Sequence, residues 1–404
     1  MINQNHISPI TITAYASICA TGVGNEALYT ALLANETKLG QLSLFDIAFT
    51  TPVGEVVTEL PEISPELEIY NSRNARMALA ALNNPEDKLR VSVEQAKKRY
   101  GGNRIGVIIG TSTSGLYETE AAYCQLVEQG HMPNDFHFLT RHAYQATPRF
   151  LQLELGLSGP CFAISTACSS GAKAIAAGQR MIANNICDAV LVGGVDTLCR
   201  LTLRGFYSLD LVSPTPCRPM DKNRNGINIG EGAGLLLLEK PDAANSHYPQ
   251  VLSVGESSDA YHMSSPHPEG RGASLAMNKA LQQAGLHASE IDYLNLHATA
   301  TPINDNVEAK AITTVFGDSL PVSGSKGITG HTLGAAGALE AIIALLALEH
   351  QFIPGTCGLR EIDQACRCQV IKEPIMQQPL KTVMSNSFGF GGNNASMIFN
   401  HERA

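Results

Sequence analysis

Gly159-Pro160-Cys161-Phe162-Ala163-Ile164-Ser165-Thr166-Ala167-Cys168-Ser169-Ser170-Gly171 is the stretch that decides the fold. An apolar, strand-like run meets a group of small residues, and an alanine-rich helical pattern follows at once over residues 171–183. Strand, tight turn and helix in direct succession mark an α/β unit. The turn puts Cys168 where a helix begins, and there unpaired N–H groups and the helix dipole favour an anion. Such a position is expected to lower a thiol's pKa and make the sulfur a better nucleophile. Taken alone the reading stays open, because an isolated buried cysteine is more often a small core residue.

Working outward, residues 105–109 before Gly110, 189–192 before Gly193 and 234–238 before Glu239 also read as buried strands. Residues 335–350, like 171–183, carry small or apolar side chains almost all round, as expected of a helix inside the protein. The alternation predicts an α/β fold with mixed sheets. Polar and proline residues cluster over 241–249 and a fresh strand begins near Val251, so the expected division is 1–249 and 250–404. No internal repeat is visible. The charged, helix-like segment 84–103 reads as a solvated face.

With 44% hydrophobic and 16% charged residues, the 404-residue chain has the composition of a well-buried globule. Its net charge of −9 offers no electrostatic case for nucleic acid, and an acidic partner would need a local basic patch. The ten cysteines show no CxxC or finger spacing, and Cys366 and Cys368 stand too close to make a metal pair unaided. Free thiols, a cytoplasmic setting and no catalytic metal are therefore expected. Residues 1–18 lack the basic and apolar regions of a secretory signal, and the apolar runs 235–238 and 341–348 are too short to cross a bilayer, so no membrane insertion is expected.

Three further clusters carry chemistry. Asn295-Leu296-His297-Ala298-Thr299-Ala300-Thr301-Pro302-Ile303-Asn304-Asp305 sets a histidine at a strand end before a threonine-rich turn, although a satisfied core histidine fits as well. In Ser323-Gly324-Ser325-Lys326-Gly327-Ile328-Thr329-Gly330-His331-Thr332-Leu333-Gly334-Ala335-Ala336-Gly337, Lys326 and His331 lie on a glycine-rich loop that opens the buried helix, without the residue order of a phosphate loop. The glycines of Asn386-Ser387-Phe388-Gly389-Phe390-Gly391-Gly392-Asn393-Asn394 allow backbone N–H groups to turn toward a ligand.

In order and spacing, the four clusters resemble the elongating β-ketoacyl-acyl-carrier-protein synthases of the thiolase superfamily. The resemblance runs from about Thr11 to Asn400 and includes Arg218-Pro219-Met220-Asp221-Lys222-Asn223-Arg224-Asn225-Gly226 and Gly230-Glu231-Gly232-Ala233-Gly234. It implies a thiolase-like fold: two similar halves with mixed five-stranded sheets in an αβαβα layering, the first carrying the nucleophile and the second the two histidines and the lysine. By the same resemblance Cys168, His297, His331 and Lys326 form the catalytic set, and the backbone N–H groups of Cys168 and Phe390 form the oxyanion hole. Glu340 would pair with Lys326, and Asp305 would support His297. Thr299, Thr301 and Phe388 would contact the pantetheine-borne substrate.

The implied reaction is decarboxylative Claisen condensation of an acyl group on Cys168 with a malonyl thioester, in fatty-acid or polyene/polyketide-type biosynthesis, with no cofactor beyond the carrier protein's phosphopantetheine. Histidine at position 331 separates the chain from initiating synthases, which carry asparagine there. The implied partners are an acyl carrier protein, docked on Arg73, Arg76, Arg200 and Arg204, and a second subunit in a homodimer or heterodimer. The rival from another class is a non-catalytic chain-length-factor subunit, which typically lacks the cysteine. Ala298 and Ala300 depart from the glycine or serine often found there, and either narrow the approach or simply pack. The polar loop 110–115 is expected near the acyl pocket and the dimer interface.

Overall fold

The structure, a computed structural model, describes residues 8–401. Ten strands carry the architecture. The first five are β1 Ile10–Cys19, β2 Ile105–Gly110, β3 Cys161–Ile164, β4 Ala189–Asp196 and β5 Gly232–Glu239. The second five are β6 Gln250–Ser258, β7 Tyr293–Asn295, β8 Pro321–Ser323, β9 Thr382–Gly389 and β10 Asn393–Asn400. They line up as β3-β2-β4-β5-β1 and β8-β7-β9-β10-β6. In each set the first three strands are parallel and the last two join antiparallel.

Strand for strand, the two halves share one topology, a duplication that the sequence does not display. Their first strands also pair, Ile10 opposite Val251 and Thr11 opposite Gln250, so the two sheets run on into each other. A short strand, Gln369–Val370, extends the second sheet beyond β8.

Besides the helix Asn25–Ala34 and the single turn Lys326–Thr329, the helices in chain order are α1 Arg73–Asn83, α2 Leu89–Tyr100, α3 Leu116–Gln129, α4 Ala146–Glu154, α5 Ser170–Ala183, α6 Arg200–Ser208, α7 Arg271–Ala284, α8 Pro302–Phe316 and α9 Ala336–His350. Helices α1, α2 and α4 cover the outer face of the first sheet. Helix α7 covers the second, with α8 packed against α7. Between the sheets lie α5 and α9, each touching strands of both, which completes the five layers. The charged segment near residue 90 is half solvated: α2 buries Leu89, Val93 and Ala96, and Lys97, Lys98 and Arg99 complement the dipole in its last turn.

The central helices are apolar because little of them meets water; in α5 only Arg180 and Ala183, in the last turn, are exposed. The stretch Leu333–His350 is apolar and long enough to pass for a membrane span, yet 89% of it is buried between the sheets. Where α5 and α9 cross, the contact is backbone to backbone. A Cβ on Gly171 would stand 2.9 Å from Ala338 N, and one on Gly337 would stand 2.8 Å from Ala172 N. Gly110, at the end of β2, is as constrained, since a Cβ there would lie 2.4 Å from Gly171 N.

Gly110→Ala should therefore push α5 off the sheet and lower the denaturant midpoint, by about 1–3 kcal/mol in unfolding free energy. Gly205→Ala, in open space on α6, is the control and should leave the midpoint unchanged or raise it by up to about 1 kcal/mol.

Candidate active site

β3 delivers the chain to a turn in which Ala167 takes the left-handed conformation, φ 53°. L-residues adopt that conformation at a strain of roughly 1–2 kcal/mol. The turn is braced from inside: Ser170 Oγ donates to Ala167 O at 2.6 Å and accepts from Thr166 N at 2.9 Å. Cys168 follows, just ahead of α5, and Ser387 Oγ of β9 donates to its carbonyl at 2.9 Å. The thiol points into a cleft of about 440 Å³. Cys168, His297, His331 and Lys326 are each 6% exposed or less.

The second half supplies the other groups from two loops. His297 stands beyond the end of β7. Lys326 and His331 lie between β8 and α9, where His331 N donates to Asn228 O at 2.8 Å and its carbonyl accepts from Gly230 N at 2.9 Å. His331 Nε2 sits 2.9 Å from Cys168 Sγ. The two imidazoles stand nearly perpendicular, with centroids 5.3 Å apart and an interplanar angle of 85°. Lys326 pairs with Glu340 of α9, donates to His297 O and lies 3.3 Å from His297 Nδ1. Since an ammonium only donates, that contact makes Nδ1 an acceptor and leaves the ring proton on Nε2. His331 Nδ1 has no partner among the described residues, so only the contact of Nε2 with the Cys168 sulfur bears on the tautomer of that ring.

Burial is the largest influence on the thiol, the two imidazoles and the Glu340 carboxyl. It drives both histidines well below the ordinary imidazole range, reinforced by the Lys326 charge, so both rings are neutral. Burial likewise pushes Glu340 up to about 7, opposed by Lys326. The expectation of a lowered thiol pKa is corrected by the same cause. Burial pushes Cys168 up to about 11, although Lys326 and the N–H groups of Phe390 and Cys168 act the other way. Complete removal from water outweighs the helix terminus.

The other expected residues divide. Phe388, Thr299 and Thr301 line the cleft, with the two threonine hydroxyls 3.0 Å apart. Phe390 lines it too and aims its N–H at the Cys168 sulfur. Asp305 does not support His297. Its carboxylate accepts from Met220 N at 2.9 Å and Ala300 N at 3.2 Å, shaping the threonine turn. Glu308, one helical turn further along α8, takes that place: it accepts from His297 N at 2.8 Å and Ala298 N at 2.7 Å. The only sequence signal for it is its spacing of three from Asp305, on the same helix face.

Arg224 was also passed over. It is buried, reaches Asp363 at 2.6 Å and Asp305 at 3.6 Å, and donates to Pro302 O at 3.1 Å. Ala298 and Ala300 have positive φ, 34° and 65°, and are wholly buried without lining the cleft, so they pack rather than narrow the approach.

The four arginines separate as well. Arg73 is turned inward onto Glu231 and Val56 O, and Arg76 bonds Leu60 O and Pro61 O through Nη2 and Nε. Arg200 stacks over Phe45 at 4.7 Å. Arg204 is exposed on α6, the helix whose Phe206 lines the cleft. The donor atoms of Cys168, His297 and His331 lie within 4.8 Å of one another, close enough to share a soft cation, although the Lys326 ammonium already brings positive charge beside them.

Known proteins match this arrangement along nearly the whole chain. The β-ketoacyl synthase N-terminal domain corresponds to residues 8–244 and the β-ketoacyl synthase C-terminal domain to residues 248–360. The chain is 31% identical to 3-oxoacyl-[acyl-carrier-protein] synthase 2 of Coxiella burnetii, covering 96% of this chain and 97% of that one. To the protein of the same name from Vibrio cholerae it is 32% identical, over 96% and 98%. Among solved structures, a ketosynthase (ApeO) in complex with its chain length factor (ApeC) from Xenorhabdus doucetiae superimposes with a TM-score of 0.91 and 41% identity over 98% of each chain. The ishigamide ketosynthase/chain length factor follows at 0.89 and 29%, over 98% of this chain and 100% of that one. Agreement in sequence and backbone over this length has one meaning: the chain belongs to the β-ketoacyl synthase family, condensing acyltransferases of thiolase-like fold.

Proposed function

We propose that the protein is a β-ketoacyl-acyl-carrier-protein synthase that transfers an acyl group to Cys168 and condenses it with malonyl on a carrier protein. The observation that carries the reading is the buried contact of Cys168 Sγ with His331 Nε2, with His297 beside it and locked as a donor toward the cleft.

In the first half-reaction the Cys168 sulfur attacks the acyl thioester and the carrier arm leaves as its thiol. His331 Nε2 takes the Cys168 proton, and the departing pantetheine sulfur receives it in turn. The N–H groups of Cys168 and Phe390 hold the oxyanion. In the second half-reaction the malonyl carboxylate leaves as carbon dioxide and its bonding electrons form a thioester enolate. Neutral His297 and His331 each donate an N–H to the enolate oxygen. His331 can serve in both half-reactions because its free Nδ1 lets the ring hold its proton on either nitrogen.

The enolate carbon then attacks the acyl-cysteine, and collapse of that adduct releases the β-ketoacyl product and the Cys168 sulfur. Lys326 orients His297 and supplies positive charge without moving a proton. Every step uses side chains and backbone N–H groups, and the phosphopantetheine belongs to the substrate.

A related synthase subunit is the proposed second partner, with a chain length factor as its most specific form. In two similar structures a ketosynthase is found with such a factor. The β3 edge and the exposed Tyr123, Val127, Phe138 and Leu139 supply a face for that subunit to cover. The cysteine and both histidines favour the catalytic over the non-catalytic role for this chain.

Intact-mass analysis after incubation with acyl-carrier-protein thioesters is expected to show an acyl adduct on the wild type and none on Cys168→Ala; no adduct with any donor returns the non-catalytic reading. His297→Ala and His331→Ala are expected to slow malonyl decarboxylation about 10²–10³-fold and Cys168 acylation much less. The opposite pattern overturns the assigned roles.

With its thiol pKa near 11, resting Cys168 is expected to react with iodoacetamide about tenfold faster per pH unit from about pH 7 to pH 10. A plateau below pH 8 excludes burial as the governing influence. Charge reversal at Arg204 is expected to weaken carrier-protein binding and flatten its salt dependence, and unchanged values remove Arg204 from the docking site.

A further inference from the structure

Asp196, the last residue of β4, is fully buried and belongs to no part of the chemistry above. Six donors converge on its carboxylate, and none is a charged side chain. Three come from hydroxyls: Thr111 Oγ1 at 2.7 Å, Thr113 Oγ1 at 2.8 Å and Ser112 Oγ. Three are backbone N–H groups: Ser112 at 2.9 Å, Thr113 at 2.8 Å and Gly334 at 2.6 Å. The hydroxyls are themselves held in register. Thr111 Oγ1 accepts from Ser114 N at 2.9 Å and Thr113 Oγ1 from Thr197 N at 3.1 Å, so each has only its proton to give to Asp196.

The Gly334 bond joins this polar loop to the turn that carries His331. Leu333 has φ 51°, and a Cβ on Gly334 would stand 2.7 Å from Asp196 Oδ2 and 2.9 Å from Ser112 N. The chain from His331 to α9 is thus pinned against loop 111–113 by one carboxylate. Among the described residues, the charged or titratable groups that contact or electrostatically influence the Cys168 sulfur are Lys326, His297, His331 and Asp196. Asp196 is the one anion among them, and its charge opposes formation of a thiolate.

We propose that Asp196 is a positioning residue for the thiol–imidazole pair: it ties loop 111–113 to Gly334 and fixes the turn that sets His331 against Cys168. The proposal rests on the reading of Cys168 as the nucleophile. It gives the hydroxyl-rich loop a task of its own, since its three hydroxyls and the three N–H groups together saturate an anion that pairs with no cation among the described residues. A shift of that loop, whatever acyl chain or subunit lies beyond it, would reach His331 through a single shared carboxylate.

Asp196→Asn keeps the shape of the side chain and removes its charge, and Asp196→Glu keeps the charge and misplaces it. Thr111→Val removes one donor. Each would be compared with the wild type in three measurements: thermal midpoint, pH profile of Cys168 alkylation by iodoacetamide, and kcat and KM for condensation. Asp196→Asn is expected to move the alkylation profile toward lower pH and to lower kcat about tenfold to hundredfold with little change in KM. Asp196→Glu should lower kcat with the alkylation profile near that of the wild type, and Thr111→Val should lower kcat several-fold.

A role confined to stability moves the midpoint and leaves the alkylation profile in place, which overturns the proposal. So does an Asn variant with wild-type profile and kcat. Should the Asn variant not fold, an unchanged kcat in both Thr111→Val and Ser112→Ala overturns it. Alkylation reads the thiol without any carrier-protein substrate. A wrong reading of the condensation therefore appears as a wild type without activity and leaves the comparison of profiles intact.

Discussion

Two helices can meet backbone to backbone only where neither places a side chain between them, and α5 and α9 meet this condition at Gly171 and Gly337. That contact governs the site. Cys168 immediately precedes α5, and Lys326 and His331 lie in the chain that leads into α9. The closeness of the two helix starts is therefore what brings a sulfur from the first half within 2.9 Å of an imidazole from the second. A side chain at either glycine would separate the groups by an amount that chemistry does not tolerate. The sheets on either side exclude water from the helices and so from everything that lies at their ends.

Exclusion of water then decides the charge state of the site. Both imidazoles are neutral, Glu340 and Glu308 are pushed up to about 7, and the thiol is harder to ionise than in water. One cation, Lys326, offsets part of this. Its position on Glu340 and the backbone of His297 makes it a fixed charge rather than a mobile proton source. A dry pocket with neutral donors suits a reaction in which negative charge appears only transiently, because donors that are already aimed need no reorganisation when it does.

Much of this could be read from the chain. Strand, small-residue turn and apolar helix around Cys168 announce themselves through periodicity and composition, and the histidine and lysine loops stand out by their glycines and threonines. What could not be read depends on contacts between distant segments. Glu308 looks like any helical carboxylate until the fold turns it toward the N–H groups of His297 and Ala298. Arg73 and Arg76 look like surface charge until Glu231 and the carbonyls of Leu60 and Pro61 claim them. The thiol misled for another reason: helix position is a local property and burial is not. The duplication was hidden because a topology constrains where strands lie and leaves side chains free to diverge.

That shared topology sets how the site is divided. The contact between α5 and α9 is where the two similar halves meet, and the reacting groups stand at its end. Two identical units would have offered two equivalent positions ahead of their central helices. Here the halves have diverged: residues 165–169 link β3 to α5 directly and hold the nucleophile, and the longer link 324–335 between β8 and α9 holds the lysine and a histidine. Two halves of one topology thus hold different parts of a single site.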